Sequence, residues 1–109
     1  MLLHVVPAAA WSADPGLPYA PASLAAEGFV HCSADETAAL AVADARYREV
    51  PGPLLVLVID ETRLTAEVRW EESKGTLFPH VYGPIERGSV VDVLEVRRDP
   101  DGRARELAS

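Results

Sequence analysis

Cysteine is nearly absent. Cys32 is the only one in 109 residues. A lone thiol allows no internal disulfide and no paired-cysteine zinc or redox site, and it points to a reducing, cytoplasmic setting. Long apolar runs are missing as well. Even the continuous aliphatic stretch Leu54-Leu55-Val56-Leu57-Val58-Ile59 falls far short of the ~20 residues a bilayer-crossing helix needs, so no membrane partner is expected. Met1-Leu2-Leu3 and Ala8-Ala9-Ala10 mimic pieces of a signal peptide, but no Lys or Arg precedes them, and His4 and Pro7 interrupt the run. Positive charge is scarce: 10 Lys and Arg stand against 17 Asp and Glu, giving a net charge of −7 and a pI near 4.8. An acidic surface makes extended nucleic-acid binding unfavourable, so any nucleotide would have to sit in a local pocket. The sequence has no GxSxG elbow, phosphate-binding loop, GxGxxG fingerprint, HxH or HExxH, and no repeat, linker or low-complexity run.

What remains is ordinary globular material, 49% apolar. That is enough for one domain, residues 1–109, with a real core, and a monomer is expected. Leu2 to Val6 reads as a first strand ended by Pro7, with His4 on the face of Leu2 and Val6. Ala8 to Ala13 makes a helical turn carrying Trp11, and Asp14-Pro15-Gly16 breaks it. The proline-rich loop that follows, with Tyr19, either covers a pocket or packs on the surface. A second helical turn, Ser23 to Glu27, ends at Gly28, and Phe29-Val30 is extended. Ser33 stands three residues before Glu36, the spacing of a capping box, so a helix is expected over Ala34 to Val50. Glu36, Ala39, Leu40, Ala43, Tyr47 and Val50 form its inward stripe, and Arg46 and Arg48 near its end complement the helix dipole.

Pro51-Gly52-Pro53 closes that helix, and the aliphatic run from Leu54 belongs at the centre of a sheet. Val68 to Glu71 is a short strand with Trp70 and Glu71 on opposite faces. Phe78-Pro79-His80-Val81-Tyr82-Gly83-Pro84 is rigid, is expected to avoid a central strand position, and places His80 and Tyr82 on one side. Ser89 to Val96 is another strand, Asp99-Pro100-Asp101-Gly102 a turn, and Arg103 to Leu107 its hairpin return. The order gives an α+β fold with a split or strongly bent, mainly antiparallel sheet and one principal helix.

Three histidines, His4, His31 and His80, lie in or beside strands. Their spacing matches no metal motif, so no metal site is expected. Cys32 invites a thiol-nucleophile reading, including glutathione-transferase-like chemistry, but adjacent strand residues face opposite ways, so His31 cannot easily activate it. The remaining constellation is His4, His31, Ser33, Glu71, His80 and Tyr82. Its donors, acceptors and single carboxylate suit ribose hydroxyls, and a carboxylate can steady an oxocarbenium-like centre as a glycosidic bond breaks. The expected catalytic groups are His4, His31 and Glu71, with Ser33, His80, Tyr82 and Cys32 as ligand-binding groups.

Leu3-His4-Val5, Glu27-Gly28-Phe29-Val30-His31-Cys32-Ser33, Leu57-Val58-Ile59-Asp60, Trp70-Glu71 and Pro79-His80-Val81-Tyr82-Gly83-Pro84 stand in this order from Leu2 to about Val96. In that order they resemble the bacterial domain of unknown function 952 family, whose members look like compact relatives of the ADP-ribosyltransferase fold. The resemblance implies a split β-sandwich with an NAD-type cleft. His4 matches the first-strand histidine of the transferase pattern, and His31 with Ser33 its second position. Glu71 is a candidate for its later glutamate, unless His80 and Tyr82 occupy that side. Neither histidine motif carries the arginine of an RNA 2′-phosphotransferase relative. The implied function is an ADP-ribosyltransferase-like enzyme acting on NAD or a related nucleotide, with NAD as substrate and no required cofactor. The alternative is a non-catalytic module that binds a small molecule or nucleotide.

Overall fold

A strand that is aliphatic on both faces must have neighbours on every side, and Leu54–Ile59 occupies such a position. The computed structural model describes residues 1–109. In chain order the elements are β1 (Leu2–Pro7), α1 (Ala8–Ser12), α2 (Ala22–Glu27), β2 (Val30–His31), α3 (Glu36–Tyr47), β3 (Leu54–Ile59), β4 (Val68–Ser73), β5 (Thr76–Val81), β6 (Val90–Arg98) and β7 (Ala104–Ala108). A four-stranded sheet runs β1-β3-β6-β7 and a three-stranded sheet β2-β5-β4, with every pairing antiparallel.

The large sheet is covered on both faces. Val5, Leu54, Val56 and Val96 pack with Ala39 and Ala43 of α3, whose small side chains let the helix lie close. Leu2, Val6, Leu57 and Ile59 face the other way and meet Val30, Cys32 and Val81 of the small sheet, together with Tyr19 and Ile85. Backbone hydrogen bonds stitch the two sheets at one point: Leu3 N–H donates to Ser33 C=O (2.9 Å) and Ser33 N–H to Leu3 C=O (2.6 Å). The fold is therefore mixed α+β with antiparallel sheets and few helices, as the sequence implies. No helix is long and apolar enough to cross a membrane.

Local expectations need two corrections. Asp35, not Ser33, caps α3: its carboxylate accepts from Ala38 N–H at 2.8 Å. Ser33 does not cap, because its backbone carbonyl is taken by Leu3 N–H, so the helix begins at Glu36 rather than Ala34; it ends at Tyr47 rather than Val50. The second concerns Pro79, which lies in β5, the middle strand of the small sheet. The proline is tolerated there because its carbonyl still accepts from Cys32 N–H (3.0 Å), while its nitrogen faces the end of the two-residue β2, where one ladder bond is all that is lost. Lys74 and Gly75, both with positive φ, make the tight turn joining β4 to β5.

Two arginines tie loops to this frame. Arg98 Nη1 donates to Tyr47 C=O (3.2 Å) and Val50 C=O (3.0 Å), and Nη2 to Gly52 C=O, closing the end of α3. Arg87 stacks over Trp11 (4.2 Å) and donates to the carbonyls of Trp11, Ala13, Asp14 and Leu17.

Candidate functional site

Alternation along the small sheet sorts its side chains into two sets. Val30, Cys32 and Val81 face the core. Phe29, His31, Arg69, Glu71, Phe78, His80 and Tyr82 lie on the opposite face, because His31 pairs with His80, Arg69 with His80 and Glu71 with Phe78 across the strands.

On that face the polar groups form a continuous relay. One oxygen of Glu71, Oε1, accepts from His80 Nδ1–H at 2.8 Å and from the Tyr82 hydroxyl. In its neutral form, a His80 that donates from Nδ1 keeps a lone pair on Nε2. That atom lies 3.4 Å from His31 Nδ1, and with His80 in this tautomer the contact needs the proton on His31 Nδ1. His31 Nε2 is then a lone-pair nitrogen, and it is buried with no protein partner. Aromatic neighbours hold the rings in place. Phe29 stacks on His80 (4.0 Å, 17° between planes), Phe78 lies 4.9 Å from His31, and the Arg69 guanidinium covers Tyr82 at 4.4 Å.

His4 approaches from the other sheet. Its Nδ1–H donates to the His31 carbonyl at 2.7 Å, and Tyr19 lies against its ring at 5.6 Å. Burial lowers its pKa to about 4, outweighing the hydrogen bond to His31. The His31 pKa is also lowered to about 4, by burial first, then by the Arg46 charge, then by His80 and His4. Both imidazoles are therefore neutral near pH 7. The Glu71 carboxyl is held below its usual range by the Tyr82 and then the His80 hydrogen bond. The Tyr82 phenol is raised in turn, chiefly by the bond to Glu71.

Three hollows meet at His31. A closed one of about 50 Å³ is bordered by His4, Ser23, His31, Ser33, Arg46 and Tyr47. A second, about 180 Å³, is bordered by Glu27, Phe29, His31, Arg46, Ser73 and His80. The third is a groove of about 520 Å³ between α3 and the β4–β5 hairpin, walled by Ala38, Ala41, Ala45 and Arg46 on one side and Lys74, Thr76 and Phe78 on the other, with His31 at its base. His31 and Arg46 border all three. Two larger hollows, around Arg98 and beneath the Pro18–Pro21 loop, contain no histidine.

The structure thus brings His31, Glu71, His80 and Tyr82 into one network, with His4 joined through the His31 carbonyl and Ser33 beside the closed hollow. Cys32 stands apart: it is 1% exposed, on the core face, with its thiol pushed up to about 12 by burial, so it is not part of the ligand-facing set. Tyr19 is buried against His4 and does not line the groove. No group of three or more His, Cys, Asp and Glu side chains is placed to hold a metal ion. Arg46 was invisible as a site residue in the sequence, where it reads as a dipole complement at a helix end. The available signal was the row of small residues Ala38, Ala41 and Ala45 that leads to it beside the inward stripe.

The sequence model of the family described as a protein of unknown function, DUF952, matches residues 5–93. The chain belongs to this family. The matched span of this DUF952 chain includes His31, Arg46, Glu71, His80 and Tyr82, while His4 precedes it. The chain is similar to the crystal structure of protein CC0527 from Caulobacter crescentus, with 25% identity, TM-score 0.74, and coverage of 95% of this chain and 92% of that one. The solution structure of CC0527 is similar too, with 29% identity, TM-score 0.72, and coverage of 93% and 88%. No curated protein matches this DUF952 chain.

Proposed function

We propose that the protein is an ADP-ribosyltransferase-like enzyme that takes NAD or a related nucleotide into the groove between α3 and the β4–β5 hairpin, where His31 meets the ligand. One observation carries this reading: the Glu71–His80–His31 relay ends on a buried, unpartnered nitrogen of a ring that borders that groove. A neutral imidazole with a free lone pair can accept a hydrogen bond from a ribose hydroxyl or remove a proton from an acceptor group. The proton taken by Nε2 leaves a positive imidazole, and the carboxylate two groups away in the relay favours that charge. Glu71 then acts through His80 as a positioning group rather than as a free carboxylate beneath a ribosyl cation, because Oε1 already receives two donors. Phe78 offers a flat face for a base or a nicotinamide ring.

A non-catalytic binding module on the same groove is the second reading. It is favoured by the engagement of Glu71 Oε1 and by the burial of His4, whose Nδ1 is held by a backbone carbonyl. Calorimetry with NAD and ADP-ribose, combined with an assay for released nicotinamide, separates the two. The enzyme reading expects binding, slow nicotinamide release, and loss of release in both His31→Ala and Glu71→Gln. Binding with no release in any variant selects the module. Absence of binding at millimolar ligand ends both.

A further inference from the structure

We propose that Arg46, together with Lys74, anchors the phosphoryl groups of an anionic ligand beside His31. This deepens the nucleotide reading above and rests on the same groove.

The argument begins with the pairing of cations. In a chain of net charge −7, an arginine normally finds a carboxylate or a carbonyl. Arg48 pairs with Asp101, Arg63 with Asp60, Arg69 with Glu67 and Arg105 with Asp99. Arg87 and Arg98 bond to backbone carbonyls. Arg46, Arg97 and Arg103 have neither, and of these three Arg46 alone borders the hollows at His31, all three of them. Lys74, the chain's single lysine, is held by the tight β4–β5 turn on the opposite wall of the groove. Two unpaired cations lining one cavity, beside the His31 ring with its buried and unpartnered nitrogen, have the charge pattern of an oxyanion site. The carboxylates nearby do not cancel it. Asp35 is engaged by Ala38 N–H at the start of α3, where the helix dipole offsets its charge, and Glu27 borders the neighbouring hollow rather than the groove.

The placement has a chemical consequence. The Arg46 charge makes His31 harder to protonate. A phosphoryl group set between them neutralises that charge, so the imidazole becomes a better proton acceptor once the ligand is seated. His4, His80 and Arg46 are the titratable groups acting on His31, and only Arg46 also faces the ligand space of the groove.

Inorganic pyrophosphate, adenosine and ADP-ribose, each titrated while the His31 ring resonances are followed by NMR, provide the test. Pyrophosphate and ADP-ribose are expected to shift the His31 ring signals and raise its titration midpoint, while adenosine leaves the midpoint unchanged. Loss of a charge-assisted contact should weaken pyrophosphate binding roughly tenfold or more in Arg46→Ala. Arg46→Lys should retain part of the affinity. Lys74→Asn, a residue that tolerates the positive φ at this turn, should weaken binding without moving the His31 midpoint of the free protein. Arg46 is exposed, and circular dichroism checks that the variants are folded. Pyrophosphate that fails to bind the wild type, or binds folded Arg46→Ala as tightly, overturns the anchor. Binding of pyrophosphate without NAD or ADP-ribose binding supports the anchor and removes the nucleotide reading. Nucleotide binding that ignores Arg46→Ala removes the anchor and leaves that reading standing.

Discussion

At the scale of single residues, what decides a role is which face of a strand a side chain occupies. His31 and Cys32 are neighbours in sequence, yet one faces the relay and the other the core. A buried thiol with its pKa near 12 is a poor nucleophile at neutral pH. Iodoacetamide should therefore label Cys32 slowly in the native protein and quickly once denaturant is added, and mass spectrometry reads both rates. Tyr82 offers a second check. Its phenol is raised because ionisation would set a phenolate against the Glu71 carboxylate and break their hydrogen bond. In Glu71→Gln the negative charge is gone, so the Tyr82 titration, followed by tyrosinate absorbance, should move down towards its ordinary value. Tyr19 and Tyr47, raised by burial, should stay where they are. The histidines and Tyr82 could be picked out from sequence because polar rings between prolines and in strands are conspicuous. Arg46 could not, because an arginine in the last turn of a helix has a sufficient local explanation in the dipole.

At the scale of elements, the strong local signals held. Gly28, with φ +86, ends α2 where the sequence placed a left-handed residue. The aliphatic run became the inner strand β3, and the Asp99–Gly102 turn joined β6 to β7. The signals that failed were those a long-range partner could override. Ser33 with Glu36 has capping spacing, but a bridge to Leu3, thirty positions earlier in the chain, claims the Ser33 backbone. Nothing local to Ser33 announces that partner. The end of α3 depends on a similar distant contact. The Arg98 guanidinium donates to three carbonyls at the helix end and its exit; that of Tyr47 also accepts from Val50 N–H. Arg98→Ala should lower stability by about 1–3 kcal/mol, the range for charged hydrogen bonds lost at a partly buried site. Chemical denaturation of the folded variant measures it, and a loss near zero would assign the helix end to Pro51-Gly52-Pro53 instead.

At the scale of the whole molecule, the two sheets meet where His4 supports His31, and this makes the fold sensitive to acid. Both imidazoles have folded pKa values near 4, below the ordinary 6.5. Between those values the unfolded chain binds more protons than the folded one, so stability rises with pH across the window and is fully present above about 6.5. The depressed Glu71 carboxyl acts in the same direction, its contribution being lost as pH falls through its folded value. His4 alone should account for a loss on the order of 3 kcal/mol between pH 7 and pH 4. Urea denaturation at a series of pH values should show this slope, and His4→Gln, which cannot titrate, should flatten it even if it lowers stability overall. Pro79 bears on the same meeting point. By withholding an N–H, it denies the Cys32 carbonyl a partner on β5, so the ladder runs out there and the next residue is free to cross to Leu3. The ring that looked out of place in a middle strand thus works like a railway switch, diverting the backbone from one sheet to the other one step after the histidine that the rest of the hollow surrounds.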